Sequence, residues 1–211
     1  MLSTTERTTP RKGERARTAR DDLYAVLDAG MICHLGVVTD GGPMVVPTGY
    51  GRIGDTLYLH GSTAARSLRA GGDVCVTVTH LDGVVLARSA FHHSVNYRSA
   101  MIYGEPRVVT DPQERLDGLR ALTEQLAPGQ WAVVRQPTRK ELAATVVLAL
   151  SLAEASVKVR TGPPVDDEED YALPVWAGVL PVRQAFGDPE PDPRLSPDLP
   201  VPQHVLRRSP E

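Results

Sequence analysis

The alternation of apolar and polar positions along the chain predicts mostly short strands with a few helices. Residues 18–30 place Leu23, Val26 and Leu27 at helical spacing and end at Gly30, which predicts an amphipathic helix. From residue 31 the apolar period changes from that of a helix to that of a strand. The strand candidates are 31–38, 43–53, 56–61, 73–81, 84–91, 94–109, 142–152, 155–160 and 175–182.

Turn and capping signals divide these runs. The Asp82–Gly83 pair predicts that 73–81 and 84–91 form a hairpin, and Pro47 predicts that its strand is at an edge or bulged there. Further helices are predicted at 62–72 and 111–126, the second with Asp111 as N-cap. A capping box is predicted at 138–141, and the acidic run 166–170 is interpreted as a solvated turn.

The chain of 211 residues is long enough for one domain. We expect a basic, flexible lead at 1–17, a mostly β domain with α additions at 18–186, and a Pro-rich extended tail at 187–211. Many short strands with regular turn signals predict that the domain is an antiparallel barrel flanked by helices.

Composition excludes several functional classes. The formal net charge of −3 gives no global basic surface for nucleic acid, and no apolar run is long enough to span a membrane or form a signal peptide. Cys33 and Cys75 lie in apolar runs without a close-spaced partner, which is typical of buried thiols in a reducing compartment. We therefore expect a cytoplasmic protein that binds neither nucleic acid nor membrane.

Motifs for metal, nucleophilic or nucleotide chemistry are missing. The six histidines have no zinc-binding spacing, so no metal site is predicted. Anion binding is better supported, because Ser62, Thr63 and Arg66 lie at the predicted start of a helix. The alternative is a capped surface helix with a solvated arginine.

The stretch 94–105, SVNYRSAMIYGE, alternates like a strand but carries several polar groups in its middle. Arg98 must either reach water or meet an anion, because an unpaired buried guanidinium is costly. Asn96, Tyr97 and Ser99 beside it offer hydrogen-bonding groups of the kind that hold sugar hydroxyls and phosphates. The two Arg-and-hydroxyl clusters together favour a phosphorylated ligand.

Three stretches, 31–70, 92–109 and 156–182, closely resemble the pyridoxamine 5'-phosphate oxidase-like superfamily, and the branch that includes the nitroimidazole-resistance flavoproteins in particular. The resemblance covers about residues 18–186. It implies a six-stranded antiparallel split β-barrel, the FMN-binding split barrel, which forms a homodimer with FMN at the interface.

The resemblance also implies which residues contact FMN. VVPTGY corresponds to the strand along the isoalloxazine, LYLHGS with Arg66 to the phosphate turn, NYRS to a polar strand beside the ribityl phosphate, and Trp176 to a tryptophan packed on the flavin of the other subunit. The alternative for Trp176 is a core position. The implied cofactor-binding residues are Val46, Pro47, Thr48, Leu59, His60, Gly61, Ser62, Arg66, Asn96, Tyr97, Arg98, Ser99 and Trp176.

The predicted function is an FMN-dependent oxidoreductase that acts on a small molecule, with a nicotinamide coenzyme as reductant. His60 is the candidate catalytic residue because it titrates near neutrality at the predicted flavin turn. Thr63, Ala64 and Ala65 replace the basic pair that pyridoxamine 5'-phosphate oxidase has after the turn serine, so oxidation of pyridoxine phosphate is not expected.

Two alternatives stay open at this stage. One is a non-catalytic flavin, deazaflavin or haem protein for binding or sensing, in which His34, His92 or His93 ligates haem iron. The other is a dimerisation module without a cofactor.

Overall fold

The computed structural model describes residues 1–2, 5–9, 13–69, 71–196 and 198–208. The strands and helices in these ranges are β1 Ala16–Arg17, α1 Arg20–Ala29, β2 Ile32–Thr39, β3 Gly42–Ile53, β4 Thr56–Ser62, α2 Arg66–Arg69, β5 Val74–Leu86, β6 Ser94–Gly104, β7 Arg107–Val108, α3 Pro112–Leu126, α4 Arg139–Ala143, β8 Thr145–Ser151, β9 Glu154–Arg160, β10 Gly178–Pro181 and α5 Gln203–Leu206.

The strands form one antiparallel sheet with the order β1-β9-β6-β5-β2-β3-β4-β8-β7, and β10 pairs with β5 beside this path. The mostly β, split-barrel prediction is confirmed. The predicted six strands are an approximation, since the described residues contain ten strands and their order does not close. The strands beyond six include three short pairings of two to four residues, β1, β7 and β10.

The inner face of the sheet forms the core around Leu35, Tyr50, Leu57 and Ile102, all of which are buried. Helix α1 covers one end of this core with the predicted apolar stripe, and the Tyr50 hydroxyl donates a hydrogen bond to the Leu27 carbonyl at its last turn. This contact fixes the end of α1 against β3.

The local capping predictions for the two later helices are confirmed. Asp111 caps α3, with its side chain accepting from the Glu114 N–H at 2.7 Å, and Pro112 is the first helical residue. The capping box at Thr138 and Glu141 begins α4. These signals are read within four residues of sequence, so tertiary contacts do not change them.

The predicted hairpin at 73–91 is wrong, because residues 74–86 form the single strand β5. The Asp82–Gly83 pair lies at a shift of register against β6, between Leu81 and Gly83. A Cβ at Gly83 would lie 2.9 Å from Val179 Cγ1 of β10, so β10 packs where the turn was expected. The pair therefore makes an irregularity in a continuous strand.

The helix predicted at 62–72 is also shorter than expected, with α2 beginning at Arg66. Ser62 instead ends β4 and pairs with Thr145 of β8. The strand predicted at 94–109 is interrupted after Gly104. The φ of 148° at Gly104 and the nearby Pro106 direct the chain to β7, which pairs with β8.

Pro47 lies at an edge, as predicted. It pairs with His34 on the β2 side, and no partner strand lies beside it on the β4 side among the described strands.

Cys33 and Cys75 are both free thiols, and burial raises the pKa of Cys33 to about 12. Asp166 of the predicted solvated turn is buried and pairs with Arg88 at 3.0 Å, so this part of that prediction is wrong.

Both ends of the described chain contact the domain. Leu2 is buried and its N–H donates to the Thr18 carbonyl, while β1 pairs with β9. In the last helix, His204 Nε2 lies 2.7 Å from Gln130 Oε1. The boundaries drawn at 17 and 187 stay predictions. Within the described ranges, no helix combines the length and apolar character needed to cross a membrane.

Candidate functional site

A cleft opens where β3 separates from β4. Strand β3 pairs with β2 over residues 42–49 but with β4 only over residues 50–53. Beyond Leu59, β4 continues as a partner of β8 alone. The peptide groups of β3 at 42–49 therefore face the cleft on the side that a neighbouring strand would otherwise occupy, and they are available to a ligand.

The residues predicted to contact a flavin on these two strands flank this cleft. Val46, Pro47 and Thr48 lie on the part of β3 that pairs with β2 but not with β4, and Pro47 is the exposed member of the three. His60, Gly61 and Ser62 lie on the part of β4 that has left β3. Leu59, the residue before them, is fully buried in the core and supports the wall from behind.

The predicted phosphate turn has a different local structure from the one expected. The Ser62 hydroxyl accepts the Ala64 N–H at 3.2 Å, and Arg66 begins a helix of only four residues. A Cβ at Gly61 would lie 2.5 Å from Leu68 Cδ1, so the glycine allows α2 to fold back on β4. Arg66 is exposed and lines a hollow of about 790 Å³ together with the β2–β3 turn at 39–44.

His60 has no hydrogen bond among the described residues, and much of its side chain is exposed. Partial desolvation by the surrounding chain nevertheless lowers the pKa of its imidazole below the ordinary value of 6.5. The side chain is therefore mainly neutral at pH 7, and it can accept a proton in the cleft.

The four polar residues of β6 divide between the two faces of the sheet. Ala100 and Ile102 are buried and therefore point to the core. Because side chains alternate along a strand, Asn96 and Arg98 lie on this same face of β6, while Tyr97 and Ser99 lie on the outer face. Asn96 is buried, donates to the Gly162 carbonyl at 3.1 Å and accepts from Arg160 at 2.5 Å. The stretch therefore does not form one continuous polar surface.

Arg98 meets an anion from its own chain. Its Nε and Nη2 each donate to an Asp82 carboxylate oxygen at 2.9 Å. This bidentate pair raises the pKa of Arg98 and holds the pKa of Asp82 below its usual value, chiefly through the hydrogen bonds. Sequence reasoning missed Asp82 because it was interpreted as a turn residue; it lies at the register shift of β5 against β6, within reach of Arg98, whereas His80 is the residue directly opposite Arg98.

Beside this pair lies a cavity of about 690 Å³ at the end of β5 and β6. Its wall includes Met31, Thr79 and His80 from the sheet and its edge, and Phe186 and Arg208 from the C-terminal segment. The Arg208 guanidinium stacks over the Phe186 ring, 4.4 Å from its centroid, and donates to the Leu126 carbonyl. The volume is in the range of small-molecule and cofactor sites.

Trp176 precedes β10 and is 69% exposed, which excludes the core alternative for it. Its ring lies over the backbone at Gly178, where a Cβ would come within 2.9 Å of the indole. The absence of a side chain at Gly178 therefore leaves room for the indole to lie against the backbone. The outer face of the indole is exposed and can pack against another molecule.

The outer face of the sheet carries other exposed apolar side chains near these polar groups. Ile32 and Val45 are 50% and 66% exposed and flank the β2–β3 edge. The cross-strand register links β3 to β2, β2 to β5 and β5 to β6, with Ser99 of β6 opposite Thr79 of β5. Three strand spacings separate β3 from β6, so the β3 wall and Ser99 lie roughly 14 Å apart within one copy.

The histidines differ in whether their side chains already make hydrogen bonds within the chain. His80 Nε2 contacts the Val26 carbonyl, His92 contacts Asp167, and His93 contacts the Ser89 carbonyl. Among the described histidines, His34 and His60 make no hydrogen bond. In the same ranges, no group of three His, Cys, Asp or Glu side chains is arranged to hold a metal ion.

Comparisons with known proteins agree with this architecture. A family model described as pyridoxamine 5'-phosphate oxidase matches residues 19–159. A search of curated proteins found no match.

Three solved structures illustrate the similarity. The flavocytochrome Anf3 from Azotobacter vinelandii is 44% identical, with 99% of both chains covered and a TM-score of 0.92. The FAD and heme binding protein from Mycobacterium smegmatis is 41% identical, with 92% of this chain and 97% of that one covered and a TM-score of 0.88. A putative 5-nitroimidazole antibiotic resistance protein from Bacteroides thetaiotaomicron, 20% identical over 68% of this chain and 86% of that one with a TM-score of 0.58, shares the fold.

Proposed function

Because the chain belongs to the pyridoxamine 5'-phosphate oxidase family, as the sequence resemblance predicted, we propose that it binds a flavin between two copies of itself and catalyses a redox reaction of a small molecule. The observation that carries this proposal is the similarity over almost the whole chain to a flavocytochrome at 44% identity. A nicotinamide coenzyme is the proposed reductant. Conversion of pyridoxine phosphate is not proposed, because the phosphate turn has Thr63, Ala64 and Ala65 in place of a basic pair.

The cleft between β3 and β4 has the donors and acceptors that a flavin nucleotide needs. The unpaired peptide groups at 42–49 and the Thr48 hydroxyl can hydrogen-bond the edge of an isoalloxazine. Ser62 and Arg66 supply a hydroxyl and a guanidinium for phosphate. A bound flavin would supply the hydride and electron transfer, while the chain orients it, excludes water and accepts a proton at His60.

A second copy would complete the site. The β3 wall and the Tyr97–Ser99 segment of β6 lie on the same outer face but roughly three strand spacings apart. Exposed Ile32, Val45 and Trp176 on or near that face favour contact with another apolar surface. We therefore propose a homodimer in which each flavin contacts both copies.

The identity of the flavin nucleotide belongs to this proposal. The sequence resemblance implied FMN, whereas one solved relative at 41% identity is described as binding FAD and heme. Both nucleotides share the isoalloxazine, the ribityl chain and one phosphate, for which the cleft residues above are suited. Mass analysis of the flavin that the purified protein releases distinguishes the two.

A haem in the same molecule is the second candidate function. The specific observation that favours it is that the two solved relatives at 44% and 41% identity are described as a flavocytochrome and as a FAD and heme binding protein. The imidazoles of His34 and His60 make no hydrogen bond within the described chain and would be chemically able to hold a haem iron. When bound, a haem would supply one-electron chemistry.

The first test is the absorption spectrum of the purified protein, before and after addition of NADH or NADPH without oxygen. We expect a flavin spectrum that bleaches with the nicotinamide, and turnover when a quinone or nitro compound is added. A haem adds a Soret band. A flavin that neither nicotinamide reduces would contradict the proposed reductant, and a colourless protein that takes up no FMN or FAD would overturn the whole proposal.

The second test separates ligand binding by Arg98 from its role in the ion pair. Arg98→Leu removes both the pair and any ligand contact, whereas Asp82→Asn removes only the carboxylate charge. We expect the flavin content per protein to fall at least about tenfold in Arg98→Leu and to stay near that of the wild type in Asp82→Asn. Equal flavin content in the two variants would show that Arg98 serves Asp82 alone.

A further inference from the structure

A cluster of three arginines lies apart from the cleft, between the N-terminal segment and β9. Arg15, Arg17 and Arg160 line a cavity of about 320 Å³, together with Glu14 and Thr161. All three arginines are half-buried. They come from two elements far apart in sequence, β9 and the segment that leads into β1, which pair over Ala16–Arg17.

The charges in this cavity are not balanced by the described residues. Glu14 is the only carboxylate among the lining residues, its oxygen is 4.0 Å from Arg15 Nε, and its side chain is 70% exposed. The Arg17 guanidinium donates to backbone carbonyls, and Arg160 donates to the neutral Asn96 amide oxygen. Burial and the nearby Arg15 charge lower the pKa of Arg160, which indicates that the cluster is short of negative charge.

We propose that this cavity binds a phosphoryl or diphosphate group. Three guanidiniums and one carboxylate leave a net charge of about +2, which a phosphate dianion neutralises and a single carboxylate does not. The planar fork of each arginine suits two oxygens of a phosphate at once. The hydroxyl of Thr161 offers a further donor at the same wall.

Asn96 connects this cavity to the strand that carries Tyr97 and Ser99. Its amide oxygen accepts from Arg160 and its amide nitrogen donates to the Gly162 carbonyl, so the position of Arg160 is fixed relative to the start of β6. The phosphoryl group can therefore belong to one of two molecules. One is a flavin dinucleotide bound in the cleft, and the other is a separate phosphorylated compound.

Calorimetric titration with inorganic pyrophosphate tests the site directly. The full-length protein as purified is compared with Arg160→Gln and Arg17→Gln, and with Arg120→Gln as a matched control on the exposed face of α3. Where the cavity of the purified protein is free, we expect each of the two cavity variants to weaken pyrophosphate binding by about tenfold or more, with the control equal to the wild type. The use of two arginine variants guards against a local effect of losing the Asn96 contact.

The flavin released from the same four proteins identifies the source of the phosphoryl group. If a dinucleotide fills the cavity, the wild type takes up little pyrophosphate and both cavity variants lose FAD in favour of FMN. If a separate molecule fills it, the flavin is unchanged and only pyrophosphate binding falls. The proposal is overturned if the cavity variants match Arg120→Gln in both measurements.

In protein whose cavity holds no flavin dinucleotide, the pyrophosphate measurement does not depend on flavin binding. A protein that binds pyrophosphate through Arg17 and Arg160 but holds no flavin would overturn the proposed redox function and leave this site intact.

Discussion

At the scale of single residues, His60 gives the cleft a pH dependence that can be measured without knowing the substrate. Desolvation lowers its pKa, so the folded chain binds this proton less tightly than the unfolded chain does. Stability is therefore unaffected by His60 well above pH 6.5. It decreases as the pH falls from 6.5 towards the lowered pKa, and it levels off below that pKa.

We predict that His60→Gln removes this loss. Urea unfolding from pH 8 to pH 5 should show the wild type losing stability relative to the variant on the acid side, with the two curves closest at pH 8. Parallel curves across the range would mean that the folded chain does not desolvate His60. In turnover assays, a proton-accepting role predicts that the acid limb of the kcat/KM profile moves or disappears in the variant.

Arg98 shows how far single residues could be interpreted from sequence. The need of a mid-strand guanidinium for an anion follows from its charge alone, and the structure provides that anion as Asp82. Which anion it meets depends on the register shift between Leu81 and Gly83. The local alternation of apolar and polar residues does not reveal a register shift of one residue. The sequence alone therefore could not decide whether Arg98 meets a carboxylate of the chain or a phosphate of a ligand.

At the scale of elements, α3 lies so close to β3 that only glycine fits beneath it. A Cβ at Gly51 would come within 2.4 Å of the Ala121 carbonyl carbon and the Leu122 nitrogen, which are backbone atoms with no side-chain freedom to move away. Gly51→Ala must therefore displace the helix or the strand that forms the rear of the cleft.

We predict that Gly51→Ala lowers the free energy of unfolding by about 3 kcal/mol, the upper range for overpacking a core. Gly13→Ala is the matched control, since nothing lies within 4 Å of the added methyl group. Urea unfolding of the two variants and the wild type measures the difference. Equal stability of the two variants would mean that α3 is not held against β3 as described.

The elements that the sequence predicted correctly are those specified by local chemistry. The caps at Asp111 and Thr138 depend on neighbours within four residues, and the alternation in β2, β3 and β9 reports one buried face. The errors arose where another element decides the outcome. Gly83 continues a strand because β10 packs on it, and Ser62 continues β4 because Thr145 pairs with it.

At the scale of the whole molecule, the proposed function requires a surface of a second copy to complete the candidate site. The cleft residues and the outward-facing part of β6 share one face, and exposed apolar side chains lie between them. A sequence pattern marks such side chains only as apolar strand positions. The exposure of these side chains distinguishes an interface from a core, and it becomes known only when the packing shows which face of the sheet is buried.

We predict that Val45→Glu disrupts dimerisation and flavin binding together. Val45 is 66% exposed on the outer face, and in a twofold dimer each substitution enters the interface twice. Two carboxylates desolvated without partners should weaken dimerisation by at least about 100-fold. Sedimentation should therefore show a mass near 22.8 kDa for the variant and about twice that for the wild type, and the variant should retain little flavin.

Val133→Glu is the control for this experiment, because Val133 is similarly exposed, at 63%, but lies after α3 and outside the outer face of β2, β3 and β6. It should remain dimeric and keep its flavin. A Val45→Glu protein that stays dimeric would move the interface to another surface. A Val45→Glu protein that becomes monomeric yet keeps all of its flavin would show that a single copy suffices for binding. The residues of β3 and β4 that flank the cleft would then hold the flavin without Tyr97, Ser99 or Trp176 of a second chain.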